Sequence, residues 1–303
     1  MGDGAKRLHL AGTVCALAVA LALGPLATVA AQGSPIKTGA RSLTGPFVAL
    51  GDSFAAGDLI PVSPSGAPAG CLRSSHDYGA DAAAALRLTY VDATCTGAST
   101  KDMTAPQHVT LGTHAPQFSY LAASDSVVTL TIGGDDIGFN GILRTCAKLS
   151  LPDLIGDPCR RHYTAGGTDL LLAKVNAVAP LVAAVLQGIH ARAPAARVLL
   201  VGYPDILPNT GYGCFPMVPL ATGDVAYLRG LEIRLNQVLA GVAAANGATF
   251  VDTYTATIGH DACRSPGVKD VEGLIVTSPA YPFHPNRRGE QVMANQVLAA
   301  LGA

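Results

Sequence analysis

Residues 47–54 read Phe47-Val48-Ala49-Leu50-Gly51-Asp52-Ser53-Phe54. The first four are apolar, and the run ends at a glycine, an aspartate and a serine. A short apolar run bounded by turn residues predicts a strand that is buried in a parallel sheet. Because open α/β sheets bind their ligands at the carboxyl ends of the strands, we expect Ser53 to lie at a functional edge.

The rest of the chain repeats this pattern. Further apolar, β-branched runs predict strands at residues 89–91, 127–132, 198–201 and 249–251. Alanine- and leucine-rich stretches predict helices at residues 77–88, 169–192, 224–245 and 287–301. Strands that alternate with helices indicate an α/β protein with a parallel sheet covered on both faces. Residues 145–167 and 204–223, which are rich in proline and cysteine, are interpreted as excursions from this pattern.

The first residues have the features of an export signal. Lys6 and Arg7 precede an apolar stretch over residues 8–23, and small residues follow as far as Ala31. This is the pattern of a secretory signal peptide, here residues 1–31. The stretch is shorter than the ~20 residues that a membrane span needs, so we expect a secreted protein without a stable membrane anchor. Residues 32–45 are predicted to be a flexible segment, and residues 46–303 a single domain.

The composition excludes some classes of partner. The net charge is −1, only 14% of the residues are charged, and tryptophan is absent. A nucleic-acid-binding protein would show a basic footprint. We therefore expect no nucleic-acid partner, and we expect a monomer that acts on a small molecule or a lipid.

Cys15 lies inside the predicted signal peptide and leaves six of the seven cysteines for the exported chain. An even number of cysteines in an exported protein indicates disulfides. Six cysteines allow fifteen pairings, of which sequential pairing is the most economical because each bridge then closes a local loop. A metal site is the competing use, but the sequence lacks a Cys-x-x-Cys motif and any cluster of Cys and His at ligand spacing.

Several common catalytic motifs are missing, among them G-x-S-x-G, S-x-x-K, the P-loop and H-E-x-x-H. Three segments are nevertheless expected near Ser53. Gly97 follows the second predicted strand, Gly133 and Gly134 follow the third, and His284 precedes the last helix. Each has an ordinary structural explanation as a helix cap, a turn or a surface histidine. Together they supply the nucleophile, the base and the backbone donors that acyl transfer needs.

At this point the chain resembles the SGNH/GDSL hydrolases, and within them the secreted, three-disulfide lipases and esterases of actinobacteria. The resemblance runs from about residue 47 to the C-terminus. It rests on Ala49-Leu50-Gly51-Asp52-Ser53-Phe54-Ala55-Ala56-Gly57, Cys95-Thr96-Gly97-Ala98, Ile132-Gly133-Gly134, Val201-Gly202-Tyr203-Pro204, Gly259-His260-Asp261-Ala262-Cys263 and Phe283-His284-Pro285-Asn286.

This resemblance implies a three-layer α/β/α sandwich with a flavodoxin-like, five-stranded parallel sheet. It also implies Ser53 as the nucleophile, His284 as the base, and an oxyanion hole formed by the amides of Ser53 and Gly97. Neither a cofactor nor a metal is expected. The implied disulfides are the sequential ones, Cys71–Cys95, Cys146–Cys159 and Cys214–Cys263.

The sequence departs from the family pattern at two positions. The oxyanion-hole asparagine of the family is replaced by Asp135, which is then a protonated donor, a specialisation for another acceptor, or a cause of low activity. The acid of the triad, three residues before the histidine, is replaced by Tyr281. We therefore expect a Ser53–His284 dyad in which the backbone carbonyl of Tyr281 or a neighbour orients the imidazole.

The expected function is hydrolysis of small-molecule or lipid acyl esters through an acyl-Ser53 intermediate. Two alternatives stay open. The same fold serves acyltransferases, and Asp135 is also consistent with a secreted binding protein whose hydrolysis is weakened or lost.

Overall fold

Strands build two sheets in the computed structural model, which describes Met1, residues 43–209 and residues 212–303. The strands are β1 (Phe47–Gly51), β2 (Tyr90–Asp92), β3 (Gln107–Val109), β4 (Gly112–His114), β5 (Val127–Thr131), β6 (Arg197–Val201) and β7 (Thr249–Val251). The main sheet is parallel throughout and has the order β2-β1-β5-β6-β7. All five strands predicted from the apolar runs are confirmed, each to within a residue at either end.

Helices connect these strands. They are α1 (Ser53–Ala56), α2 (Tyr78–Leu86), α3 (Gly134–Ile137), α4 (Phe139–Ser150), α5 (Pro158–Thr164), α6 (Leu170–Arg192), α7 (Thr222–Ala245), α8 (Thr253–Thr257) and α9 (Arg287–Leu301). Short 3₁₀ turns lie at Ala69–Cys71, Thr100–Met103 and Gln117–Tyr120. The four predicted helices correspond to α2, α6, α7 and α9 and are confirmed.

The two faces of the sheet pack against different helices. Alternate strand residues such as Val48, Leu50 and Leu130 pack with α6 and α7 in one core. Their neighbours, such as Phe47 and Val127, pack with α2 and α9 in a second core. Since side chains alternate across a strand, this division follows directly from the apolar runs. The three-layer α/β/α architecture is confirmed.

The order of the strands determines where a ligand binds. The chain leaves β1 toward β2 on one side and returns to β5 on the other side of β1. Ligands of open α/β sheets bind where the strand order reverses in this way. The segments that follow β1 and β5, which contain Ser53 and Gly134, flank this point.

Among the described helices, α6 alone is long and apolar enough to cross a membrane by length and composition. Seven of its side chains are buried, including Val178, Val182 and Leu186. They belong to the core formed with the strands. The apolar face of α6 is therefore used for packing in the domain.

Two local features differ from the prediction. The segment over residues 145–167 is not merely an excursion, because it contains the last turns of α4 and all of α5. The hairpin of β3 and β4 was not predicted, because its short strands are mostly polar and lack an apolar alternation. Its turn depends on local backbone instead, with a positive φ of 71° at Leu111.

The structure contains the disulfides Cys71–Cys95, Cys146–Cys159 and Cys214–Cys263, which is the pairing implied by the family resemblance. Residues from 43 onward pack as one compact unit. The predicted signal peptide over residues 1–31 and most of the segment 32–45 lie outside the described residues, with the exception of Met1 and residues 43–45.

Candidate active site

Ser53 is the first residue of α1 and follows β1 after a sharp change of direction. Gly51 makes the change possible, since its φ is 141° and a Cβ there would lie 2.3 Å from the carbonyl oxygen of Thr131. The side chain of Gln117 holds both the amide and the carbonyl of Gly51, at 2.7 and 2.9 Å. Asp52 caps the helix by accepting a hydrogen bond from the amide of Phe54. The Ser53 hydroxyl is thereby fixed at the edge of the sheet.

His284 lies directly beside this hydroxyl. Its Nε2 atom is 2.7 Å from Ser53 Oγ, and its Nδ1 atom is 2.9 Å from the carbonyl oxygen of Pro282. Since a carbonyl can only accept, Nδ1 carries the proton and Nε2 is free to accept from the serine. Burial lowers the pKa of His284 to about 4, and the bond to Pro282 opposes this shift only in part. The imidazole is therefore a neutral base near neutral pH.

The carbonyl that orients His284 belongs to Pro282, a neighbour of Tyr281, and not to Tyr281 itself. The carbonyl of Tyr281 accepts from the backbone amide of His284 at 3.1 Å and closes a turn over residues 281–284. That turn directs the carbonyl of Pro282 toward the imidazole instead. Of the carbonyls expected, at Tyr281 or a neighbour, the structure uses that of Pro282 and corrects Tyr281 by one residue. The sequence does not show that the carbonyl of Tyr281 is occupied within the turn.

A buried ion pair supports the loop that carries His284. Lys269 Nζ lies 2.6 Å from Glu272 Oε2, and both side chains are almost completely buried. The backbone of Glu272 donates to the carbonyl of His284 and accepts from the amide of Phe283. Asn286 donates to the other carboxylate oxygen of Glu272 at 3.0 Å. This network holds Phe283 in a left-handed conformation, with φ at 64°, immediately before the histidine.

Replacing Lys269 with methionine will destabilise the protein by about 3–5 kcal/mol, because it leaves the carboxylate of Glu272 buried without its counter-charge. Burial alone would raise the pKa of Glu272, but its hydrogen bonds and the charge of Lys269 hold it below the ordinary value. Denaturant unfolding near neutral pH measures the loss, which shrinks as the pH falls and Glu272 takes up a proton. Lys148→Met is the matched control, since Lys148 is exposed on α4 and its loss changes stability by no more than about 0.5 kcal/mol. Equal stabilities of the two variants would contradict the role given to the ion pair.

Two backbone amides near Ser53 are available to bind an anion. Within the described residues, neither the amide of Ser53 nor that of Gly97 has a hydrogen-bond acceptor. The segment that contains Gly97 is held next to β1, since the amide of Cys95 donates to the carbonyl of Gly51 at 3.0 Å and the bridge to Cys71 anchors it further. Gly97 has a φ of 72°, a conformation that favours glycine. Paired free amides beside a serine hydroxyl are the arrangement that an oxyanion hole requires.

A tyrosine that received no role in the sequence analysis links the two edge segments. Tyr203 donates to Asp52 Oδ2 at 2.5 Å and accepts from the amide of Gly134 at 2.7 Å. Asp52 directly precedes Ser53, and Gly134 directly precedes Asp135. Tyr203 thus fixes the position of Ser53 relative to the segment after β5.

Asp135 is half-buried at the start of α3, and no hydrogen bond to its carboxyl group occurs within the described residues. Burial, together with the negative charges of Asp136 and Asp102, raises the pKa of Asp135 to about 6. Asp136, by contrast, accepts hydrogen bonds from the amide and the hydroxyl of Thr100. Asp135 is thus an unpaired carboxyl group that gains or loses its proton near pH 6.

Two cavities are lined by residues next to Ser53 and His284 in the chain. The first has a volume of about 70 Å³, is almost wholly apolar, and is lined by Phe54 and Tyr203 together with side chains of α3, α4, α6 and α7. The ring of Phe54 contacts that of His284, with the centroids 4.4 Å apart. The second, of about 170 Å³, is lined by the residues just before His284, Tyr281 to Phe283, and by side chains of α4. Apolar space thus lies next to Phe54 on one side and next to residues 281–283 on the other.

In the described part of the chain, the one group of side chains at metal-ligand spacing is Cys71, Cys95 and His114. The two cysteines are joined in a disulfide. Thiolate sulfur is the ligand that metals bind, so this group is not a metal site.

The chain matches the model of the GDSL-like Lipase/Acylhydrolase family over residues 49–292. It is 38% identical to Lipase 2 of Streptomyces coelicolor, and the match covers 98% of both proteins. It is 28% identical to an esterase of Streptomyces scabiei, over 96% of this chain and 93% of that one.

Two solved structures of Streptomyces enzymes have a similar fold. The fold is similar to that of phospholipase A1 from Streptomyces albidoflavus, with a TM-score of 0.69 and 28% identity over 86% of this chain and 98% of that one. An extracellular lipase from Streptomyces rimosus gives a TM-score of 0.67 and 26% identity over 85% and 100%. The chain belongs to the GDSL-like lipase/acylhydrolase family, the SGNH hydrolases, and is a carboxylic ester hydrolase.

Proposed function

We propose that the protein is a secreted serine esterase or lipase that forms an acyl intermediate on Ser53, with His284 as the general base. The observation that carries this proposal is the 2.7 Å contact between Ser53 Oγ and His284 Nε2. It joins a hydroxyl group to a neutral base in a buried setting, beside two unpaired amides. These are the components that acyl transfer needs.

In the proposed mechanism, His284 Nε2 takes the proton of Ser53 as Oγ attacks the ester carbonyl carbon. The amides of Ser53 and Gly97 hold the oxyanion of the tetrahedral intermediate. The C–O bond to the alcohol then breaks, and His284 gives the proton to the departing oxygen. A water molecule attacks the acyl-Ser53 ester with His284 again as base, and the acid leaves as Oγ regains its proton.

The orienting group in this mechanism carries no charge. The carbonyl of Pro282 fixes the tautomer of His284, as a triad aspartate does, but it stabilises the imidazolium that forms during the reaction less well. Rate acceleration therefore depends more strongly on the oxyanion hole, and this makes the replacement at Asp135 important.

The apolar cavities lined by Phe54 and by residues 281–283 support acyl esters as the substrate class, from small esters to lipids. Secretion is supported by the three disulfides, which form in oxidising compartments, and by the similarity to an extracellular lipase. The proposed protein is a monomer that is released by cleavage after Ala31 and has no stable membrane anchor.

The experiment that tests the proposal traps the intermediate. Mature protein is mixed with p-nitrophenyl esters of increasing chain length, quenched in acid during turnover and digested for mass spectrometry. We expect the mass of one acyl group on the peptide that contains Ser53 and on no other peptide, together with release of the free acid. An acyl group on another residue would overturn the assignment of Ser53. Products that go to an added alcohol in preference to water would identify an acyltransferase instead.

A further inference from the structure

One carboxyl group lies on the apolar wall of the cavity beside Phe54. Helix α7 contributes Leu228, Leu231, Glu232 and Leu235 to this wall, at the spacing of one helix face. Three of these four side chains are apolar, as a core-facing stripe requires. Glu232 interrupts the stripe at a position where burial favours leucine.

Only one of the two carboxyl oxygens of Glu232 has a hydrogen-bond partner among the described residues. Its Oε1 atom accepts a hydrogen bond from the amide of Ile206 at 3.1 Å. Its Oε2 atom is buried and has no hydrogen-bond partner among the described residues. Buried polar atoms without a partner are rare in native proteins, and each one calls for an explanation.

The surroundings favour the neutral form of this carboxyl group. Burial raises the pKa of Glu232 well above its ordinary value, and the charge of Asp205 raises it further, whereas Arg229 opposes the shift. A protonated carboxyl group can both donate and accept hydrogen bonds. The free end of Glu232 therefore suits a small neutral group that also does both.

We propose that this cavity takes the acyl chain of the substrate, and that Glu232 selects chains that carry a hydroxyl group. The inference rests on the proposed ester hydrolysis, since Phe54, the residue after the proposed nucleophile, lines the cavity and its ring contacts that of His284. A hydroxyl group on the chain supplies the partner that Oε2 lacks. An unsubstituted alkyl chain displaces any water from Oε2 and leaves the atom unpaired.

The expected selectivity follows from one buried hydrogen bond. A site built to pair a substrate hydroxyl discriminates against the analogue that lacks it, because a buried polar group of the site is then unpaired. We expect a preference of about tenfold in kcat/KM for the matching hydroxyacyl ester over the plain ester. The preference depends on the position of the hydroxyl group along the chain, because Glu232 is fixed on α7.

The test compares p-nitrophenyl decanoate with the esters of positional hydroxydecanoic acids whose hydroxyl lies beyond the fifth carbon, which avoids lactone formation. We expect one isomer to be preferred by the unmodified protein and the preference to vanish in Glu232→Leu. Glu232→Gln keeps an acceptor for Ile206 and a donor for the ligand, so it retains part of the preference. Gln237→Leu, at an exposed position of the same helix, is the matched control and retains all of it.

The outcomes separate the inference from the function on which it rests. Hydrolysis of all the esters without a preferred isomer would overturn the role of Glu232 but leave the ester hydrolase intact. A preference that survives in Glu232→Leu would do the same. Absence of hydrolysis with every ester would overturn both. Thermal unfolding of each variant excludes misfolding as the cause of a lost preference. If Glu232→Leu does not fold, the reduced preference of Glu232→Gln tests the role of Glu232 in its place.

Discussion

Ser53→Ala will lower kcat for p-nitrophenyl ester hydrolysis by about 10⁴–10⁶-fold, the loss seen when the serine of a Ser–His unit is removed. The reason is that Ser53 Oγ, which lies 2.7 Å from His284 Nε2, forms the bond to the acyl group in the proposed mechanism. KM should change little, because the cavities beside the site keep their lining. Initial rates over a series of acyl chain lengths measure the effect.

The control for this prediction is Ser265→Ala. Ser265 is exposed, and its hydroxyl makes no hydrogen bond among the described residues, so this variant should retain full activity and the same unfolding temperature. If the unmodified protein hydrolyses no ester faster than Ser53→Ala does, the acyl-serine mechanism is wrong. The alternative of a secreted binding protein would then be favoured.

The sequence predicts most of the architecture because its signals are local. An apolar run such as residues 47–50 defines a buried strand, and Asp52 and Ser53 define where the strand ends and a helix begins. The carboxyl ends of parallel strands meet at one edge. The positions of Ser53, Gly97 and His284 in the fold could therefore be predicted from their positions in the chain.

The details that the sequence misses depend on contacts between distant segments. The choice of Pro282 over Tyr281 depends on how a four-residue turn pairs its own backbone. Tyr203 acquires its role because β6 lies next to β5 in the sheet, which brings its hydroxyl to Asp52 and Gly134. For Glu232 a signal does exist, since it replaces an apolar residue on the leucine face of α7.

Asp135 is neither fully predicted from the sequence nor missed by it. The sequence shows an aspartate where the family has asparagine, and the structure shows the surroundings that determine its protonation. An ionised carboxylate in the oxyanion hole repels the developing charge, whereas a protonated one can donate a hydrogen bond as the asparagine of the family does. The surroundings of Asp135 raise its pKa to about 6. The protonated donor is thus the dominant form only below that pH, so the enzyme should lose activity as the pH rises.

Asp135→Asn will therefore raise kcat/KM by about 100-fold at a pH about two units above 6, where only about one in a hundred Asp135 groups is protonated. Between about pH 4 and pH 6 the two proteins should converge, since Asp135 is then protonated and His284, with a pKa of about 4, is still a neutral base. Below about pH 4 both should lose activity as His284 becomes charged. Complete pH–rate profiles of the two proteins measure all three regions.

Asp136→Asn is the matched control because it removes a neighbouring charge without adding a donor to the oxyanion hole. The charge of Asp136 raises the pKa of Asp135, so its loss lets Asp135 ionise at a lower pH. The fall in activity of this variant should begin at a lower pH than in the unmodified protein, opposite to the effect of Asp135→Asn. A lower rate for Asp135→Asn at every pH would instead mean that the carboxyl group at this position serves an acceptor specific to this enzyme. In that case its proton is not what limits the rate.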